Sequence, residues 1–325
     1  MSKFLVIQTA FIGDVILATV VLEKLHQSFP NDRIDLLVRK GSESLFKQHP
    51  FVNKVYIWDK KIKKYKNLIS LIKEIRKVEY DYVINLQRFF STGLATILSK
   101  ARFRIGFCNN PLSFLYHYKR PYLLDRRLHE VDRNAKLIEA LTDSKAMPPK
   151  LYPSFFDYEK TAPFKQHPYI CLAPASIWPT KRLPAKRWVE LALNLYQNYA
   201  LFLIGSKDDR KLCDQIMAQL PLHSVQNLCG RLSLLQSAAL MQAAQMNYVN
   251  DSAPLHLASS VNAPTTAFFC STVTDFGFGP LAENATVAQI ESDLYCRPCG
   301  IHGRMKCPEG HFKCGHAIEV KKYLP

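Results

Sequence analysis

Hydrophobic positions in this chain fall into short apolar runs separated by polar loops and longer amphipathic stretches. Lys3 to Gln8 is the first run; it ends in Thr9-Ala10-Phe11-Ile12-Gly13-Asp14, and a helical pattern follows from Val15 to Ser28. Ile34–Val38, Val55–Trp58 and Tyr82–Leu86 are further strand candidates, separated by helical or basic stretches. Strands alternating with helices predict a parallel sheet with crossover helices. The segment from Pro148-Pro149 to Pro168 is proline-rich and weakly periodic, which predicts an interdomain linker. The pattern then restarts, with strands at Tyr169–Ala173, Leu201–Ile204, Val225–Leu228, Asn247–Asn250 and Thr265–Phe269. Helical patterns occupy 186–199, 208–220, 233–244 and 255–260 between them. The expectation is an α/β chain of two doubly wound domains, 1–155 and 165–325.

A length of 325 residues with 48% hydrophobic content suits two cores better than one. No apolar run reaches the roughly 18 residues that a membrane helix needs. Met1-Ser2-Lys3 leads straight into a strand-like run, without a basic region, apolar stretch and cleavage site, so the expected location is cytoplasmic. The net charge of +16 is unevenly spread: residues 1–150 carry 27 Lys and Arg against 14 Asp and Glu, the remainder 16 against 13. A basic first half points to an anionic partner, whether a phosphorylated substrate, an acidic membrane surface or nucleic acid. The plain alternative is a basic solvated surface. Nine cysteines are present; Cys108, Cys171, Cys213, Cys229 and Cys270 fall mostly in apolar runs and read as reduced core thiols.

In open α/β sheets, ligands bind beyond the C-terminal ends of the strands, and the unusual polar clusters of this chain all fall after apolar runs. Gly13-Asp14 opens the first helix, where the helix dipole keeps a carboxylate ionised and able to accept a proton; a simple cap is the bland reading. Between a strand and a helix lies Ala173-Pro174-Ala175-Ser176-Ile177-Trp178-Pro179-Thr180-Lys181-Arg182. Ser176 and Thr180 can donate to phosphate oxygens, and Lys181 can neutralise the charge on a leaving diphosphate. The run Asp251-Ser252-Ala253-Pro254-Leu255-His256 stands at another strand end, where the amides of Ser252 and Ala253 can cradle a phosphate. Asp251 can cap that helix or bond a ligand, and His256 sits one turn in. Neither G-x-G-x-x-G nor G-x-x-x-x-G-K-[ST] is present. At the C-terminal end, Cys296, Cys299, Cys307 and Cys314 lie within 19 residues and could hold a structural Zn²⁺, or be free thiols.

Taken together, F-I-G-D-V-I-L-A-T, S-I-W-P-T-K-R-L-P-A-K-R-W, G-R-L-S-L-L-Q-S-A-A-L-M-Q-A-A, N-D-S-A-P-L-H-L-A and the closing C-x-P-C carry a resemblance over nearly the whole chain. The sequence resembles the ADP-heptose:lipopolysaccharide heptosyltransferases of glycosyltransferase family 9. The resemblance implies a GT-B fold, with two Rossmann-like domains and parallel sheets facing a central cleft. It implies an inverting, metal-independent transfer from ADP-heptose, bound by the C-terminal domain, to an anionic lipopolysaccharide precursor bound by the N-terminal one. Asp14 would then be the general base and Lys181 would hold the donor phosphates, with Ser176 and Thr180 beside it. Asp251, Ser252, Ala253 and His256 would line the phosphate and ribose end, and Leu232 the adenine. Two departures stand out: Ala253-Pro254 where the family commonly has Gly, and Pro174-Ala175-Ser176 where it has P-G-[AS]. A different nucleotide sugar as donor is the alternative within this fold. The alternative from another class is a nucleic-acid-binding protein with a Cys-rich zinc module, against which the aromatic and basic residues do not alternate. The run Lys60-Lys61-Ile62-Lys63-Lys64-Tyr65-Lys66 is a candidate contact for the acceptor or for the inner leaflet of the inner membrane.

Overall fold

The computed structural model describes residues 1–123, 128–221 and 225–325. Two compact units divide the chain, Met1–Tyr152 and Pro153–Pro325. In the first, the strands are β1 (Lys3–Gln8), β2 (Arg33–Arg39), β3 (Val52–Trp58), β4 (Tyr82–Asn85), β5 (Phe103–Phe107) and β6 (Tyr118–Arg120). Its helices are α1 (Ile12–Leu17), α2 (Thr19–Ser28), α3 (Lys64–Arg76), α4 (Phe90–Leu98) and α5 (Glu130–Leu137). All strand pairs are parallel, in the order β3-β2-β1-β4-β5-β6. The helix expected over 15–28 is two helices, and the Thr19 hydroxyl donates to the Ile16 carbonyl at the joint (2.7 Å).

The second unit repeats the design. Its strands are β7 (Tyr169–Ala173), β8 (Ala200–Leu203), β9 (Val225–Asn227), β10 (Met246–Asn250), β11 (Thr265–Phe269) and β12 (Ala285–Gln289). Their order is β12-β11-β10-β7-β8-β9, again wholly parallel. The helices are α6 (Phe155–Thr161), α7 (Ala185–Leu195), α8 (Arg210–Met217), α9 (Leu234–Gln242), α10 (Ala253–Ser260) and α11 (Lys313–His316). Both sheets therefore have the doubly wound order 3-2-1-4-5-6, and in each the connections change direction between the first and fourth strands of the unit. These are β1 and β4 in one sheet, β7 and β10 in the other.

The segment expected as a linker is structured in part. Ser154 and Asp157 form a capping box that starts α6, and α6 packs on α9 within the second unit. The core of this unit gathers Ile170, Leu172, Trp188, Leu203, Tyr248 and Phe268, all fully or almost fully buried. The chain end returns to it: Tyr248 Oη donates to the Tyr323 carbonyl (2.6 Å), and Arg187 Nη2 to that of His316 (2.6 Å). Cys171, Cys213, Cys229 and Cys270 are buried thiols as expected, whereas Cys108 is exposed. Among the described residues no helix is long and apolar enough to cross a membrane.

Candidate active site

β7 and β10 are neighbours with Ala173 opposite Val249, so the chain leaves both strands side by side at the switch point of the second sheet. Asn250, wholly buried, ties the two exits together. Its Nδ2 donates to the Pro174 carbonyl (2.8 Å) and its Oδ1 accepts from the Leu183 amide (2.9 Å), gripping the 174–183 loop at both ends. The Arg182 side chain closes the loop on itself through the Ser176 carbonyl (2.6 Å). A turn over Pro179–Lys181 then carries Lys181 to Asp251, with Nζ 2.7 Å from Oδ2 and side chains 14% and 6% exposed.

Asp251 takes a second bond from the Thr272 hydroxyl (2.6 Å). Ser252 follows as the N-cap of α10, its hydroxyl 3.4 Å from the Ala175 carbonyl across the switch point. α10 starts at Ala253 with Pro254 in its first turn, so the amides of Ser252 and Ala253 stand where helix amides lack an intrahelical acceptor. Pro254 removes one donor but suits that position. The result is a cation, a buried carboxylate and a helix start within one corner, an arrangement that can take a phosphate. His256, on the first turn of α10, is buried. Leu232 is half-buried in the loop between β9 and α9, at the same edge of the sheet, two strands further along. Ser233 caps α9 beside it in a capping box with Gln236.

Thr180 stands differently from expectation. Its hydroxyl donates to the Arg304 carbonyl (3.0 Å) and accepts from the Arg304 amide (2.7 Å) and the Ser271 hydroxyl (3.1 Å). A hydroxyl has one proton and two lone pairs, so Thr180 is fully engaged in holding the loop and has no proton left for a phosphate. Sequence reading missed this whole support. Arg297 donates to the carbonyls of Cys270 (2.8 Å) and Thr272 (2.7 Å) and to Gln289 (2.7 Å), fixing the segment after β11 that supplies Ser271 and Thr272. Gly303 has φ +74°, and a Cβ there would lie 3.0 Å from Thr180 Oγ1 and 3.1 Å from Ser271 Oγ. The available signal was the C-x-P-C run itself, read for its thiols and not for the residues around them.

The zinc expectation at Cys296, Cys299, Cys307 and Cys314 is corrected. Among the described residues no group of three or more His, Cys, Asp or Glu is arranged to hold a metal ion. Cys314 packs into the apolar core of the second unit, and burial pushes its thiol up to about 11. The Cys299 thiol faces the Cys296 carbonyl (3.2 Å), and burial raises it too.

In the first unit, Asp14 lies in the first turn of α1, just past β1, half-buried, where the helix dipole favours its charge. Lys60 at the head of the basic run donates to the Thr9 carbonyl (2.6 Å) and lies over the Trp58 ring. Burial, with Arg39 and Lys64 adding to it, lowers the Lys60 ammonium to about 8. A buried polar group was overlooked here: Glu130 pairs with Arg133 (2.8 Å) and accepts from the Tyr122 hydroxyl (2.8 Å). Burial pushes the Tyr122 phenol up, Glu130 adds to this, and Asp14 contributes as a further nearby charge. The opposite charges three apart after the His129 cap were the signal.

Known proteins resemble this chain in sequence and in fold. The sequence model of glycosyltransferase family 9 (heptosyltransferase) matches residues 68–311. Lipooligosaccharide heptosyltransferase 2 of Campylobacter jejuni serotype O:2 is 25% identical over 97% of this chain and 93% of its own length. The structure of Escherichia coli ADP-heptose lps heptosyltransferase II superposes with a TM-score of 0.78 and 22% identity, covering 99% of this chain and 100% of that one. E. coli heptosyltransferase WaaC with ADP-2-deoxy-2-fluoro heptose gives 0.71 and 18%, over 89% and 93%. With its two doubly wound sheets the chain has the GT-B fold, and it belongs to glycosyltransferase family 9, the heptosyltransferases of lipopolysaccharide synthesis.

Proposed function

We propose that this glycosyltransferase moves a heptose from ADP-heptose to a lipopolysaccharide core precursor, inverting the anomeric centre and needing no metal. The observation that carries the donor side is the Lys181–Asp251 pair beside the start of α10 at the switch point of the second sheet. In this reading Lys181 and the amides of Ser252 and Ala253 hold the diphosphate, with Ser176 beside them. Asp251 and His256 shape the phosphate and ribose end, Leu232 meets the adenine, and Thr180 keeps the loop in place. The E. coli enzyme captured with ADP-2-deoxy-2-fluoro heptose supports an ADP-sugar as donor.

Asp14 takes the proton of the acceptor hydroxyl as its oxygen attacks the anomeric carbon. The bond from that carbon to the diphosphate breaks, and ADP leaves with its growing charge held by Lys181 and the helix start. A single displacement inverts the centre. The acceptor is anionic, and the basic first unit supports contact with the inner leaflet of the inner membrane.

The test is ADP release from ADP-heptose with a lipid A–Kdo acceptor, run with and without EDTA, and NMR of the product anomer. Asp14→Asn lowers kcat by about 10²–10⁴-fold while ADP affinity stays unchanged. An unchanged rate in that variant, or a product of retained configuration, refutes the mechanism. A panel of nucleotides in thermal shift identifies the donor base, since the right diphosphate raises Tm most.

A further inference from the structure

Ile62, Tyr65, Phe89 and Phe90 each expose more than half of their surface. Their places in the fold put them on one edge of the first unit. α3 follows β3 and α4 follows β4, so both helices begin at the C-terminal edge of the parallel sheet. They also lie side by side, with Leu68, Ile72 and Ile75 of α3 and Ala95 of α4 in a single core cluster. The inner stripe of α3 is thereby used, and Ile62 and Tyr65 at its start belong to no core.

Charge surrounds these side chains. Between residues 60 and 73 the chain carries six Lys and no Asp or Glu, and Arg88 precedes the Phe pair. Lys61, Lys63, Lys64 and Lys66 are all exposed, and among the described residues none has an acidic partner. Apolar side chains set among unpaired cations match the two layers of a bilayer surface, anionic headgroups above the acyl boundary. Single-stranded nucleic acid would be met by stacking rings, and Ile62 cannot stack.

We propose that this edge docks on an anionic phospholipid surface, the lysines among the headgroups and the four apolar side chains inserted beneath them. The proposal rests on the membrane contact inferred above and assigns it a place. It brings the lipid to the same sheet edge from which the Asp14 loop leaves β1.

The test is co-sedimentation of the full chain with vesicles of phosphatidylcholine alone or mixed with phosphatidylglycerol. The protein is expected to bind only the mixed vesicles. Replacing Ile62, Tyr65, Phe89 and Phe90 by Ser lowers partitioning by about tenfold or more with an unchanged melting transition. Changing Lys61, Lys63, Lys64 and Lys66 to Gln abolishes the preference for phosphatidylglycerol. If the wild type binds neither vesicle, both the membrane contact and this face fall. If it binds and a folded serine variant binds equally, the face is wrong and the membrane contact stands. Should the fourfold variant not melt cooperatively, Ile62→Ser/Tyr65→Ser replaces it under the same criterion. Retention on single-stranded RNA without vesicle binding overturns the proposal in favour of nucleic acid.

Discussion

Lys181→Met removes a cation 2.7 Å from Asp251 in a corner where the two side chains are only 14% and 6% exposed. At an effective dielectric of about 20, a pair at that separation has roughly 6 kcal/mol of gross attraction, and desolvation of both ends offsets much of it. The loss of one partner is a different matter, because the buried Asp251 carboxyl then loses its cation and is left with the Thr272 hydroxyl as its hydrogen-bond donor among the described side chains. Breaking a buried pair costs about 3–5 kcal/mol, and the partial exposure of Lys181 places this one at the lower end, about 3 kcal/mol. For a unit of this size each kcal/mol moves Tm by about 2–4 °C, so the transition of the second unit falls by about 6–12 °C. Lys181→Met/Asp251→Asn recovers most of that, since a neutral amide still accepts from Thr272 and no buried charge remains. Calorimetry on the wild type, both single variants and the double variant yields a coupling of about 2 kcal/mol or more. ADP titration on the same four proteins separates stability from binding: the double variant melts almost like the wild type but binds ADP weakly. An unchanged Tm in Lys181→Met refutes the buried-pair reasoning. Wild-type ADP affinity in the double variant refutes the phosphate role of Lys181.

Three further outcomes follow from the geometry. Gly303→Ala forces a side chain into a left-handed position against Thr180 and Ser271; it costs about 2 kcal/mol in denaturant unfolding and weakens ADP several-fold by shifting the Lys181 loop. Arg297→Met leaves the carbonyls of Cys270 and Thr272 without their donor; it lowers stability by about 2–3 kcal/mol, and the same ADP titration shows weaker binding because Thr272 no longer stays on Asp251. His49 concerns pH: burial, with His26 adding to it, lowers its imidazole from 6.5 to about 4. The unfolded chain therefore binds a proton before the folded one does, and stability is lost as pH falls from about 6.5 to 4, by about 2 kcal/mol after allowance for partial exposure. Denaturant midpoints at pH 7 and pH 5 should differ less in His49→Gln than in the wild type.

Central strands were readable where they are buried on both faces and appear as apolar runs; β1 and β7 are examples. β5 escaped notice because Arg104 and Gly106 break its apolar run although Ile105–Phe107 are buried, and β6 and β12 for the complementary reason. β6 is exposed along its whole length, and β12 alternates small and partly exposed residues at a sheet edge. α6 was hidden by the prolines that flank it, Pro153 and Pro163, and by the lack of an apolar stripe, since Thr161 is its one buried residue. At the site, Lys181 and Asp251 could be singled out because strand ends show in the pattern. The groups that hold them could not: Thr272, which bonds Asp251, and Arg304, which bonds Thr180 beside Lys181, lie further along the chain, and hydrogen bonds between distant loops leave no periodicity behind. The cysteine spacing misled in turn, because it describes ligands along the chain without fixing which way each thiol points.

The bonds between Thr180 and Arg304 span 124 residues of sequence. A nascent chain that has emerged only as far as β12 has every strand of both sheets, yet the loop bearing Lys181 still lacks Arg297, Gly303 and Arg304. The corner around Lys181 and Asp251 is thus among the last features to be completed during synthesis. A ribosome stalled in that interval would hold an enzyme with its sheets built and its Lys181 loop unlatched.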